Sequence, residues 1–114
     1  MFGQQRRKQT MNFTHTKENA TLTFTLTGEL DHHGAAATRQ AMDKLIRDEQ
    51  PKKVVLDLQN VHFCDSSGLG LLMGRYKTAL SVSAVLTVKD PSAAVMRIMR
   101  LAGLDKLIKT ERSA

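Results

Sequence analysis

The chain has 114 residues, enough for one layered hydrophobic core but not for two. Its 41% hydrophobic and 25% charged residues are ordinary for a globular protein, and its apolar runs are too short to span a bilayer or to form a signal-peptide core after Met1. A single cysteine, Cys64, excludes an internal disulfide and any cysteine-based metal spacing, which favours the cytoplasm.

The formal charge of +6 hints at nucleic acid, but three of those charges are Arg6, Arg7 and Lys8. They sit in a polar leader, residues 1–11, that lacks apolar periodicity and is expected to be disordered. Met11, just before the patterned sequence, is a candidate for the true or an alternative start. The remaining excess is scattered, with one tyrosine and no tryptophan to stack on bases, so no direct nucleic-acid role is expected.

Residues 12–17 suit a short edge strand that turns at Glu18-Asn19. Residues 21–27 alternate threonine with Leu22, Phe24 and Leu26, the period of a strand with one wet and one buried face. Gly28 is expected to end it. A loop over 29–34 leads to a helix over 35–48 with Thr38, Met42, Leu45 and Ile46 facing inward. Residues 52–58 read as a central strand buried on both faces.

A helix over 66–80 follows, with Leu69, Leu72, Met73, Tyr76 and Leu80 at helical spacing. Another strand is expected over 82–88, stopped by Asp90-Pro91, with Pro91 in the first turn of the next helix. Val95, Ile98 and Met99 give that helix its inner face, Gly103 caps it in a left-handed conformation, and Leu107-Ile108 add a last strand. The order predicts a single α/β domain, residues 12–110, with a mixed sheet, helices packed against it, and a short tail over 111–114. Right-handed crossovers then bring the loops starting at Gly28, Asn60 and Lys89 to one end of the sheet.

At that end Asp65-Ser66-Ser67-Gly68 joins strand to helix. Two hydroxyls stand where unpaired N–H groups and the positive end of the helix dipole favour an anion, including a phosphate carried by a serine. Position alone favours a plainer role, since serines commonly cap helix starts, and either could do so here. A serine nucleophile is weakly supported because G-x-S-x-G is absent and His32 and His33 precede the serine. Gly68, Gly70 and Gly74 match no phosphate-binding fingerprint and are better read as close packing of helix on sheet. The adjacent histidines are a poor metal set, and no metal or other cofactor is expected. A phosphoryl-accepting aspartate at Asp31 or Asp65 would need an acidic pair after the first strand, which is lacking. Cys64 reads as a small, partly buried residue, and Arg97 and Arg100 as outward-facing.

LTGELDHH at 26–33, VVLDL at 54–58, DSSGLGLLMGRYK at 65–77 and DPSAAVMRIMRLAGL at 90–104 together resemble the anti-sigma factor antagonists of the STAS fold, in particular the sporulation anti-anti-sigma factors of endospore-forming bacteria. The resemblance covers residues 11–108 and implies a non-enzymatic binding module, monomeric, without a membrane role. It implies that Ser66 is phosphorylated by a partner anti-sigma factor with serine kinase activity. Asp31, Asp65, Ser66, Ser67 and Gly68 would lie on the partner-binding face. Unmodified, the protein would bind that kinase and release a sporulation sigma factor; a PP2C-type phosphatase would restore the serine. The sequence departs from the family at Ser81-Val82-Ser83, where relatives usually carry glycine, and in the 110–114 segment, where many relatives have a further helix.

Overall fold

A computed structural model describes residues 12–30 and 35–113. The leader, Met11, Asp31, His32 and His33 lie outside the described residues.

Five strands form one sheet in chain order: β1 (Asn12–Glu18), β2 (Thr21–Leu30), β3 (Lys53–Cys64), β4 (Val85–Lys89) and β5 (Lys109–Glu111). β1 and β2 form an antiparallel hairpin, and every later neighbour is parallel, so the mixed sheet expected from the sequence is present. Parallel neighbours require crossovers. These are α1 (Ala35–Glu49), α2 (Ser66–Ser81) and α3 (Ala93–Leu101), the last followed by a 3-10 turn over Leu104–Lys106.

The alternation of β2 does what its pattern requires. Leu22, Phe24 and Leu26 are fully buried, while Thr21, Thr23 and Thr25 stay partly exposed. Register aligns Leu22 with Val54 and Phe24 with Leu56 of β3, and these in turn with Leu86 and Val88 of β4. Met42 and Ile46 of α1, Leu71, Leu72 and Ala79 of α2, and Val95 and Met99 of α3 close the same core cluster. At the hairpin, Phe13 meets the edge of Phe24 at a centroid distance of 5.3 Å. The expectation that the central strand is buried on both faces holds for Val55, but Asp57 on the second face is partly exposed.

Several boundaries differ from the sequence reading. β2 passes through Gly28, which adopts φ 102, and ends at Leu30. β3 runs six residues beyond Leu58, to Cys64. Its register jumps between Thr25↔Asp57 and Thr27↔Asn60, and again between Gly28↔Val61 and Glu29↔Phe63. Each jump is a bulge that puts an extra residue in β3 and resets its alternation. Leu58, Val61 and Cys64 are all buried as a result, at a spacing of three that no regular strand would show.

β4 begins at Val85, because residues 82–84 form a tight turn with Ser83 at φ 62. This is the left-handed region that favours glycine. β5 lies over Lys109–Glu111, just past the expected Leu107-Ile108; Ile108 is buried and Leu107 exposed. Pro91 precedes the α3 N-cap, Ser92, whose hydroxyl accepts from the Val95 N–H at 3.2 Å. Gly103, at φ 78, follows the C-cap as expected.

α2 is rotated relative to the predicted face. Leu71, Leu72, Arg75, Thr78 and Ala79 are buried, Leu69, Met73 and Tyr76 are partly buried, and Leu80 is 55% exposed. Arg75 is only 4% exposed and makes a two-pronged pair with Asp43 of α1, its Nε donating at 2.8 Å and Nη2 at 3.2 Å. Burial lowers the arginine's pKa and the Asp43 carboxylate opposes that shift. The pair locks α1 to α2 while keeping the desolvated guanidinium satisfied.

Candidate functional site

The strands do not end level. Lys89 of β4 pairs with Asp57, whereas β2 and β3 continue together until Leu30 meets Cys64. Two of the three loops expected at one sheet end therefore follow paired residues, and the β4 loop begins farther back. Leu30 immediately precedes Asp31, as Cys64 precedes Asp65.

Asp65 is the only residue between β3 and α2. Its Oδ1 accepts from the Gly68 N–H at 3.1 Å, and its backbone carbonyl accepts from the Leu69 N–H at 3.1 Å. These bonds make Asp65 the N-cap, with a carboxylate placed against the positive end of the helix dipole. The capping role that position offered to Ser66 or Ser67 thus belongs, for Ser66, to its neighbour. Ser66 is the first helical residue and is exposed. Gly68, which donates to the cap, is buried.

The glycine reading also changes. A Cβ at Gly70 or Gly74 would meet no heavy atom within 4 Å, so close packing on the sheet explains neither. Ser66, Gly70 and Gly74 fall at spacings of four, along one side of α2. Glycine inside a helix costs about 1 kcal/mol relative to alanine, and no close contact with a described residue accounts for it at these positions.

Cys64 is 7% exposed, and its thiol donates to the Asp65 carbonyl at 3.5 Å. Burial, and secondarily the Asp65 charge, push its pKa up to about 11. It is a neutral thiol at physiological pH, as expected for a packing residue. Arg97 and Arg100 are exposed, also as expected. No hydrogen bond joins Ser66 to a histidine among the described residues, where His15 lies against Phe24 and His62 lines a groove beside α3. No cluster of three or more metal-ligating side chains occurs among these residues, and none of their helices is long and apolar enough to cross a membrane.

Two contributors escaped the sequence reading. The Asp65 cap is recognisable in retrospect, since aspartate is a strong N-cap residue and Gly68 stands three positions on. The Arg75–Asp43 pair is signalled by a charge set between Leu71, Leu72, Thr78 and Ala79 on the inner face of a helix. Such a charge demands a partner.

Comparison with known proteins agrees with this architecture. The STAS domain family matches residues 12–114. An anti-sigma F factor antagonist of Paenibacillus polymyxa is 41% identical over 83 residues, covering 73% of this chain and 71% of that protein. The anti-sigma factor antagonist SpoIIAA in its unphosphorylated form superposes with a TM-score of 0.78 at 25% identity, covering 90% of this chain and 89% of that one. SpoIIAA of Bacillus in the phosphorylated form gives a TM-score of 0.72 at 24% identity, covering 90% and 92%.

Proposed function

This chain belongs to the STAS-domain family of anti-sigma factor antagonists, and from that premise we propose that it is a partner switch controlled by phosphate on Ser66. In the unmodified state it binds an anti-sigma factor that is also a serine kinase, and so frees a sporulation sigma factor. The kinase phosphorylates Ser66 with Mg-ATP, and a PP2C-type phosphatase reverses the reaction. The exchange takes place in the cytoplasm, and the chain itself catalyses nothing. Asp31, Asp65, Ser66 and Ser67 make up the contact face, and the buried Gly68 shapes it from beneath by donating to the Asp65 cap.

The observation that carries this reading is the division of labour between Asp65 and Ser66. Asp65 satisfies the helix start, while Ser66 stands exposed beside it. The hydroxyl is therefore available to a kinase without disturbing the cap. A phosphoserine carries close to two negative charges at neutral pH. The helix dipole tolerates that charge, so the fold survives modification. Against a packed partner surface, next to the Asp65 carboxylate, the same group brings like-charge repulsion, bulk and a desolvation cost. About 1.4 kcal/mol of such penalty weakens binding tenfold, so a few kcal/mol suffice for a switch.

The test is treatment with the cognate kinase and Mg-ATP, followed by peptide mass spectrometry. One phosphate on Ser66 is expected. Ser66→Ala should fold and bind the kinase without being inactivated, and Ser66→Asp should fold and bind poorly. Stoichiometric phosphate on Ser67, with Ser66→Ala still modified, would move the switch to the other serine. An Asp31→Asn chain that binds and is phosphorylated like wild type would remove Asp31 from the contact face.

A further inference from the structure

Because β4 stops level with Asp57, the far part of β3 has no strand beside it on that side. α3 runs past this gap and leaves a groove of about 320 Å³ lined by His62, Cys64, Ala94, Arg97, Ile98 and Leu101. Its lining is mostly apolar, and Leu101 is 75% exposed, the most exposed large hydrophobic residue described. Such a side chain gains burial energy when a partner covers it. Arg97 is exposed and forms no ion pair among the described residues. Arg100 on the same helix is likewise exposed, without a described carboxylate partner. The groove thus joins an open apolar slot to cationic groups that have no ion-pair partner among the described residues. It also adjoins the switch, since Cys64 precedes Ser66 by two residues.

We propose that this groove is a second contact surface for the anti-sigma factor, and that it receives a segment of that partner in which an apolar side chain is flanked by carboxylates. The apolar side chain packs against Ile98 and Leu101, and a carboxylate pairs with Arg97. The inference rests on the anti-sigma factor being the partner. It adds an anchor that phosphorylation leaves untouched, alongside the contact at Ser66 that phosphorylation disrupts. Buried apolar anchors with neighbouring arginines are the usual carriers of interface affinity, and exposed charges add rate and salt dependence.

Binding of the purified cognate anti-sigma factor, measured by titration calorimetry at low and high salt, tests this. The panel is wild type, Ser66→Asp, Arg97→Glu, Arg97→Lys and Leu101→Ser, with thermal unfolding as the check on folding. Arg97 and Leu101 are exposed, so these variants should unfold like wild type. Arg97→Glu and Leu101→Ser should each weaken binding about tenfold or more, with Arg97→Lys close to wild type. The wild-type affinity should fall with salt more steeply than that of Arg97→Glu. Wild-type affinity in both disruptive variants, with Ser66→Asp still weak, would overturn the groove and spare the switch. A wild-type chain that does not bind the anti-sigma factor would remove both. Self-association lost in Leu101→Ser, with anti-sigma factor binding intact, would assign the groove to a second copy and overturn the proposal.

Discussion

The two ends of the β3 strand are built to opposite specifications. From Lys53 to Asp57 it is flanked by parallel strands on both sides, and Val54, Leu56 and Val55 are buried. From there to Cys64 only β2 accompanies it, the register breaks twice, and Gly28 adopts a positive φ. The first end has regular geometry and unbroken register. The second has bulges, an exposed serine and an open groove. Stability resides where the sheet is widest, and the site lies where it narrows to two strands, with backbone irregularity setting the switch residue at its rim.

The sharpest way to break this contrast is at the lock between α1 and α2. Arg75→Ala leaves the mostly buried Asp43 carboxylate without its partner and should cost about 3 kcal/mol in denaturant unfolding. Replacing both residues with apolar ones of similar size should recover most of that loss. The fraction of Arg75→Ala that remains folded should still accept phosphate on Ser66. Unchanged stability in the single variant would show that the pair is incidental to the core.

A smaller effect separates two adjacent residues. Asp65→Ala removes the cap and should cost about 0.5–2 kcal/mol. Ser66→Ala should stay within about 0.5 kcal/mol of wild type, because an exposed residue that is not the cap has little to lose. Equal destabilisation of the two variants would mean that Ser66 shares the capping role.

The smallest effect is chemical. The Cys64 thiol is held neutral by the fold, with a pKa raised to about 11. At pH 8 the native chain should therefore react with a thiol reagent far more slowly than the urea-unfolded chain, whose thiol ionises near pH 8.5. A raised folded-state value means that this stabilising contribution is complete below the unfolded pKa and is lost as pH rises through the folded one. Equal native and unfolded reaction rates at pH 8 would place Cys64 in an open environment.

How far the sequence was legible follows the same contrast. The Thr-Leu-Thr-Phe-Thr-Leu-Thr run specified β2 because strict alternation on a regular sheet has one solution. The second half of β3 was illegible because its buried residues, Leu58, Val61 and Cys64, follow a period created by the bulges rather than by the strand. Val82 looks like strand sequence, yet Ser83 turns the chain in a conformation whose usual residue is glycine. On α2 the partly buried Leu69, Met73 and Tyr76 drew the predicted face toward themselves, away from the buried Arg75. At the site, a strand–turn–helix junction and two serines were visible from spacing. Spacing did not distinguish which residue capped the helix, because Asp65, Ser66 and Ser67 all have side chains able to do so. The choice of Ser66 for phosphate came from resemblance, and its exposure supports that choice.

The spatial order of the strands is the order of the chain. No strand has to be inserted between two that have already paired, so each can join a free edge as it leaves the ribosome. The hairpin of β1 and β2 needs only a two-residue turn to close, and each later strand needs the closure of a single crossover. Parallel sheets are slow to assemble when distant segments must find one another, and this arrangement shortens the search to the next element along. Synthesis can thus build the sheet from one edge to the other, with the short β5 joining β4 at the far edge.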